Sequence, residues 1–169
     1  MTVQHRVGLG FDVHPFALAD TRRPLVLGGV VIEGSPALAG HSDADAVAHA
    51  VADALLGPSG LGDLGTLFPS SDERYRGADS MQLLADVAVR VHGAGWRVDN
   101  IDVVIAAEAP KLAPFVDAMA RNVASALDAV APTDDTPVFV SVTPKRGEGL
   151  GFVGRAEGIA AWAVAQLVR

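Results

Sequence analysis

Residues 6–14, Arg-Val-Gly-Leu-Gly-Phe-Asp-Val-His, partly alternate apolar with small or polar side chains, which predicts a β-strand ended by Pro15. Residues 25–32 read as a second strand, with Gly28-Gly29 as a bulge or a point of close approach. Ser42 followed by Asp45 matches a helix-capping box, and apolar residues then continue to Leu56, so a helix is expected from Ser42 until Gly57-Pro58 ends it. Residues 57–77 are rich in Gly, Pro, Ser and Asp and have weak periodicity, the mark of a functional loop in a compact domain. A helix is predicted over 78–92, beginning at Asp79 or Ser80 and followed by Gly93 and Gly95. A largely buried strand is predicted over 98–107, a helix from Pro110 to about Val130, and a strand over 138–143. A glycine-rich loop at 147–154 leads into a last helix over 152–167. The order β-β-α-α-β-α-β-α predicts an α+β fold, a mostly one-sided β-sheet covered by helices.

The length of 169 residues suits a single domain spanning 1–169. Half of the residues are apolar but only 5% are aromatic, so Val, Ala and Leu must fill the core. Cysteine is absent, which removes disulfides and thiolate sites and leaves any metal to His and carboxylates. A net charge of -7 argues against a nucleic-acid partner, although a small phosphorylated ligand needs only a few local donors. No apolar run approaches the roughly 20 residues that span a bilayer, and Met1 to Arg6 lack the apolar core expected of a signal peptide. The expectation is a cytoplasmic protein without a membrane partner.

Asp12 and His14 lie two apart on a predicted strand and therefore share a face. They read either as two metal ligands on a rigid element or as the polar end of an exposed strand. His41, Asp45, His49 and Asp53 step by four, a continuous stripe if the segment is helical. Ala and Val fill the intervening positions, so the stripe suits an inward-facing site better than a solvated surface. One ligand from this stripe would complete a set of two His and one carboxylate, leaving a fourth position open as catalytic zinc requires. The carboxylates and hydroxyls between Gly62 and Asp72 suit a polyol, or simply a surface turn. Lys145, Arg146 and the glycines 147, 149 and 151, with Arg155 beyond, offer cations and backbone amides to phosphate oxygens, or form a solvated turn.

Seven stretches, in order and across nearly the whole chain, carry a resemblance. They are Gly8-Leu-Gly-Phe-Asp-Val-His14, His41-Ser-Asp-Ala-Asp45 with His49, Asp53-Ala-Leu-Leu-Gly57, Gly62-Asp-Leu-Gly65, Gly77-Ala-Asp-Ser80, Ala109-Pro-Lys111 and Leu150-Gly-Phe-Val-Gly-Arg155. Together they resemble the 2-C-methyl-D-erythritol 2,4-cyclodiphosphate synthase family. The resemblance implies a homotrimer with active sites between neighbouring subunits, and a zinc ion held by Asp12, His14 and His49. It implies a second divalent ion, magnesium or manganese, near Glu148 and the substrate diphosphate. The loop from Asp63 to Asp72 (Asp63, Leu64, Gly65, Phe68, Pro69, Ser70, Ser71 and Asp72), with His41 and Ser42, would hold the methylerythritol phosphate part, and Asp12, Val13 and His14 would also contact substrate. Ala107, Glu108, Ala109, Pro110, Lys111, Leu112 and Ala113 would form the cytidine pocket. Lys145, Arg146, Gly147, Glu148 and Arg155 would meet the phosphates, and Phe152 would also contact substrate. His41 and Arg146 are the residues expected to act on the transition state. An apolar cavity on the three-fold axis would accept an isoprenoid diphosphate.

The implied reaction is that of non-mevalonate isoprenoid synthesis. 4-Diphosphocytidyl-2-C-methyl-D-erythritol 2-phosphate becomes the 2,4-cyclodiphosphate, and CMP leaves. This chain departs from the family pattern in three places. Lys145-Arg146-Gly147 replaces a run of threonines, Ser70-Ser71 replaces Asp-Thr, and Ala156 stands where glycine is usual. Two alternatives use the same residues. A metal-dependent phosphohydrolase would activate water at the site, and a trimeric phosphate-ligand binding module would hold its metal with a fourth protein ligand.

Overall fold

The structure is a computed structural model that describes residues 2–18, 23–129 and 137–169. Its main sheet has four strands in the order β1-β6-β4-β5: β1 His5–Pro15, β4 Arg97–Ala106, β5 Phe139–Lys145 and β6 Gly158–Val168. β6 is antiparallel to both β1 and β4, whereas β4 and β5 run parallel through the helical crossover that parallel strands require. Helices α1 Ala46–Ser59 and α4 Val116–Asp128 pack on the sheet and α3 Ser80–Gly93 packs against both of them, with the short turns α2 Leu64–Leu67 and α5 Gly151–Gly154 added at loops. No helix among the described residues is long and apolar enough to cross a membrane.

The pairing register sorts side chains onto two faces. Gly10, Ala163 and Val103 line up across three strands on the helix-covered face, with Gly8, Ala165 and Ile101 as the next row. The other face carries Phe11, Trp162, Val104 and Thr143 in one row and Leu9, Val164, Asp102 and Ser141 in the next. Among the described residues no helix covers this second face, and Val7, Leu9, Phe11, Val13, Trp162 and Val164 are all left partly or largely exposed on it.

The glycines of β1 determine how closely α1 can approach. A Cβ built on Gly10 would stand 1.9 Å from the Ala50 carbonyl oxygen, and one on Gly8 would stand 2.0 Å from that of Ala54. Strand and helix thus touch backbone to backbone, with two strand residues matched to four helix residues, steps of about 6–7 Å in each. Continuing that match by one step sets Asp12 opposite Ala46, and His49, three residues on and so on the same side of the helix, reaches the Asp12 carboxylate at 3.0 Å. We expect Gly10→Ala to push α1 off the strand, costing at least about 3 kcal/mol, the upper end for overpacking, because both colliding atoms belong to backbone. Chemical unfolding measures the loss, and metal binding should weaken in parallel.

Several sequence expectations are corrected. The last helix, expected over 152–167, is instead β6, a central strand hydrogen-bonded on both sides. Its alanines favour a helix in isolation. Here Ala161, Ala163, Ala165 and Leu167 alternate inward against α1 and the core while Trp162 and Val164 point outward, a period of two that tertiary packing enforces. Residues 25–32 form two strands, β2 Leu25–Leu27 and β3 Val30–Ile32, joined at Gly28-Gly29, both with positive φ, as a tight hairpin turn needs. α1 starts at Ala46 and is capped by Asp45, not Ser42, and it runs past Gly57-Pro58 to Ser59, with Gly60 in the left-handed region closing it. Pro110 follows a cis peptide bond and lies before the helix. The chain makes a 3-10 turn at Ala113–Phe115 and becomes α-helical at Val116. The expected helix end at Val130 lies outside the described residues.

Ala156, exposed at the turn between α5 and β6, has φ +54°. A Cβ in this region costs about 1–2 kcal/mol, and glycine returns part of that through a more flexible unfolded chain. Ala156→Gly should therefore stabilise the fold by about 0.5–1 kcal/mol, seen as a higher denaturation midpoint.

Candidate metal centre and ligand cavities

Asp12 and His14 lie on the helix-covered face at the end of β1, and His49 descends onto them from the first turns of α1. The contact comes from the glycine-mediated approach of the two elements. Asp12 Oδ2 is 2.9 Å from His14 Nε2 and 3.0 Å from His49 Nδ1, and the two ring nitrogens are 3.2 Å apart. The edge of a tetrahedron around zinc with bonds of 2.0–2.1 Å is about 3.3 Å, so this triangle has the size of three of its corners. Among the described residues these three form the group of His and carboxylates able to share a metal ion.

The outer contacts of the rings agree with that use. His14 Nδ1 lies 2.9 Å from the Ala39 carbonyl oxygen, which accepts only, so Nδ1 carries the proton and Nε2 is left to face Asp12. His49 Nε2 lies 2.9 Å from Ser80 Oγ and 3.3 Å from Ser42 Oγ, leaving Nδ1 toward the cluster. Without a cation, Asp12 Oδ2 and two imidazole nitrogens would converge as acceptors, which favours protonation or a metal. Burial alone would raise the Asp12 pKa, but hydrogen bonds from His14 and His49 win and hold it well below the usual carboxylate range. Burial opposes charge on His14, yet the Asp12 carboxylate and the Ala39 carbonyl raise its pKa above the ordinary imidazole value.

The cluster lies at a cavity of about 310 Å³. His14, His41, Ser42 and His49 line one side, and Leu64, Gly65, Phe68, Pro69, Ser70 and Ser71 contribute from the 62–72 loop. Asp63 and Asp72 stay out of the lining and organise the loop: Asp63 caps α2 through the Thr66 N–H at 2.7 Å, and Asp72 caps the following 3-10 turn and pairs with Arg74. The Asp72 carbonyl oxygen lies 3.2 Å from His41 Nε2, tying that ring to the loop. Asp53 accepts the Leu64 N–H at 2.7 Å and so fixes where the loop begins.

The stripe of His41, Asp45, His49 and Asp53 is therefore not one helical face. His41 and Asp45 precede α1. The fully buried Asp45 carboxylate accepts four backbone N–H groups, from Gly28, Gly29, Val47 and Ala48, at 2.7–3.1 Å. Burial raises its pKa against the pull of those donors. It joins the β2–β3 hairpin to α1 and is no metal ligand. Val13 alternates onto the opposite face of the sheet, 41% exposed, and its side chain cannot reach this cavity.

A second cavity, of about 470 Å³, lies between the ends of β4 and β5. Glu108, Pro110, Lys111 and Leu112 form one wall and Pro144, Lys145 and Arg146 the other. Arg146 pairs with Glu108 Oε1, and Glu108 Oε2 accepts the Gly147 N–H at 3.1 Å, so the carboxylate clips the cationic loop to the 107–113 segment. This contact holds the Glu108 pKa down. Gly147 and Gly154 pack against loop backbone: a Cβ on Gly147 would meet Gly154 N at 2.3 Å. Glu148 has φ +51° and is exposed, Phe152 is 38% exposed, and Arg155 pairs with Glu157 at 2.7 Å; these three lie outside both cavities' walls. Sequence reasoning assigned no site role to Asp43 and took Ser80 only as a helix start, although both fall within the quoted motifs.

Fold and site together define an α+β protein with one bare sheet face, a three-ligand metal geometry at one cavity and a cationic loop at another. The chain matches the YgbB family over residues 5–168 and belongs to it. It is 49% identical over 169 residues to the 2-C-methyl-D-erythritol 2,4-cyclodiphosphate synthase of Bordetella avium, covering 100% of this chain and 99% of that one. Among solved structures, the bifunctional IspDF of Campylobacter jejuni matches with TM-score 0.87 and 39% identity, over 99% of this chain and 43% of that protein. A CDP-bound 2C-methyl-D-erythritol-2,4-cyclodiphosphate synthase matches with TM-score 0.80 and 32% identity, covering 96% of this chain and 99% of that one.

Proposed function

We propose that this chain converts 4-diphosphocytidyl-2-C-methyl-D-erythritol 2-phosphate to 2-C-methyl-D-erythritol 2,4-cyclodiphosphate and CMP, using the residues described above. The observation that carries the reading is the convergence of Asp12, His14 and His49 at one cavity, in a chain 49% identical along its length to a synthase of that name. Zinc held by these three residues, and magnesium or manganese held by Glu148 together with the diphosphate, would act as Lewis acids on phosphate oxygens.

The reaction is intramolecular. An oxygen of the 2-phosphate attacks the β-phosphorus, and the bond to the CMP oxygen breaks. Its nucleophile is already ionised, so no strong general base is required. The chain's first task is to fold the substrate, and holding the reacting groups in place supplies up to about 7–11 kcal/mol in favourable cases. The 62–72 loop, positioned by Asp53 and Asp63, closes around the polyol. His41, tied to the Asp72 carbonyl, orients it beside Ser42. Lys111 and the 107–113 segment bind the cytidylyl part. Lys145 and Arg146 replace threonine hydroxyls with full charges near the diphosphate, and Arg155 is within the same loop region. Phosphorus NMR of the product mixture tests the reading.

The site is shared in a homotrimer. The bare sheet face, with Phe11 and Trp162 rings 5.2 Å apart and Leu9 and Val164 beside them, supports burial against further copies of the chain. A neighbour packed there would bring the cytidylyl cavity of one chain toward the metal cavity of another. The axial cavity and its isoprenoid diphosphate belong to the same proposal.

Arg146 gives this chain a distinctive test. If it acts on charge that develops during transfer, Arg146→Ala lowers kcat by roughly a hundredfold and changes KM far less. Steady-state kinetics on the purified variant measures both, and an unchanged kcat would make Arg146 a bystander.

A further inference from the structure

We infer that Asp43 and Ser80 form a relay that fixes the orientation and tautomer of His49, making them positioning residues for the metal centre; the inference rests on the metal reading of the site. Ser80, at the first turn of α3, is 1% exposed. Its hydroxyl has two close polar partners with opposite demands. Asp43 Oδ1 lies 2.5 Å away and, as a carboxylate, only accepts, so the Ser80 O–H donates to it. The oxygen of Ser80 is then left to accept, and the group facing it at 2.9 Å is His49 Nε2. His49 Nε2 must therefore carry a proton. The lone pair of Nδ1 is left for the point where Asp12 Oδ2 and His14 Nε2 converge. A ring nitrogen held this way by a hydroxyl and a carboxylate is the outer-sphere arrangement that orients metal-bound imidazoles and raises their basicity.

Asp43 is itself held in place. Its Oδ2 accepts the Ser80 N–H at 3.0 Å, its Oδ1 accepts the Asp45 N–H at 3.1 Å, and its own N–H donates to the Ala78 carbonyl at 3.1 Å. These bonds clip the 41–45 loop to the start of α3, so the relay couples α3 to a ligand on α1. Ser42 Oγ, at 3.3 Å from His49 Nε2, is a longer alternative acceptor that also takes the Ala44 N–H. His14 needs no such side chain, because the Ala39 carbonyl performs the same task.

The test is zinc affinity of the purified full chain by competition with a chromophoric chelator, with the thermal midpoint of the metal-free protein as control. Ser80→Ala should weaken zinc binding about 10–100-fold while the metal-free midpoint stays close to wild type. Asp43→Asn retains an acceptor oxygen for the Ser80 hydroxyl and should lose less. In the zinc-loaded wild type, the His49 Nε2–H proton should give a slowly exchanging NMR signal that Ser80→Ala removes, a change that a purely structural role would not produce. Wild-type affinity in a folded Ser80→Ala, or a His49 proton found on Nδ1, would overturn the relay. Failure of the wild type itself to bind zinc would overturn the metal reading on which the relay stands.

Discussion

His49→Ala should abolish zinc binding and lower turnover by roughly a thousandfold, about 4 kcal/mol of lost transition-state stabilisation. The chain should stay folded and assembled. His49 is on the cavity side of α1, and the backbone contacts of Gly8 and Gly10 with Ala54 and Ala50 do not involve its side chain. Its removal leaves Asp12 and His14 2.9 Å apart with one corner of the triangle missing. Two ligands on one strand bind a divalent ion far more weakly than three. Elemental analysis after dialysis gives the metal content, circular dichroism gives the fold, and product formation gives the turnover. A variant that remains fully active with no metal bound would remove the metal assignment.

The second large effect concerns assembly. Trp162→Glu places a carboxylate in the middle of the bare sheet face, in the row with Phe11, Val104 and Thr143. In the isolated chain this position is 37% exposed, so the substitution should leave the core intact. In the proposed trimer it would bury an unpaired charge at each contact, an effect of about 2–4 kcal/mol per contact at a central aromatic position. Sedimentation should then shift from three chains to one. Activity should fall with it, because in the proposed trimer each site would draw its cytidylyl cavity and its metal cavity from different copies. A wild-type chain that sediments as a monomer, or a monomeric variant with full activity, would contradict the shared site.

Much of the fold was legible where local pattern and tertiary role agree. The first strand, the helix at Ser80–Gly93 and the strand at Arg97–Ala106 lie within a few residues of their expected positions. The largest error, β6, arose because Ala-rich stretches satisfy both periods; only the outward Trp162 and Val164 distinguish a strand, and their exposure follows from a sheet face that no helix among the described residues covers. The candidate site was legible in part. Asp12 and His14 share a face because strand geometry dictates it. The choice of His49 as third ligand came from resemblance, since a four-residue stripe cannot tell a cap such as Asp45 from a ligand. Its geometric cause, glycine-mediated contact of β1 and α1, connects residues about 40 apart and leaves no local signal. Ser80 and Asp43 escaped for the same reason: serine and aspartate at a helix start look like caps, and their link to His49 exists only once α1 and α3 are packed together.

The measurement that tests the central claim most directly is phosphorus NMR of the purified chain incubated with 4-diphosphocytidyl-2-C-methyl-D-erythritol 2-phosphate, zinc and magnesium. Equal amounts of CMP and the cyclic diphosphate, with no oxygen taken from solvent, are the result expected of an intramolecular phosphate attack. A linear phosphate product carrying solvent oxygen would contradict it and make the site that of a hydrolase.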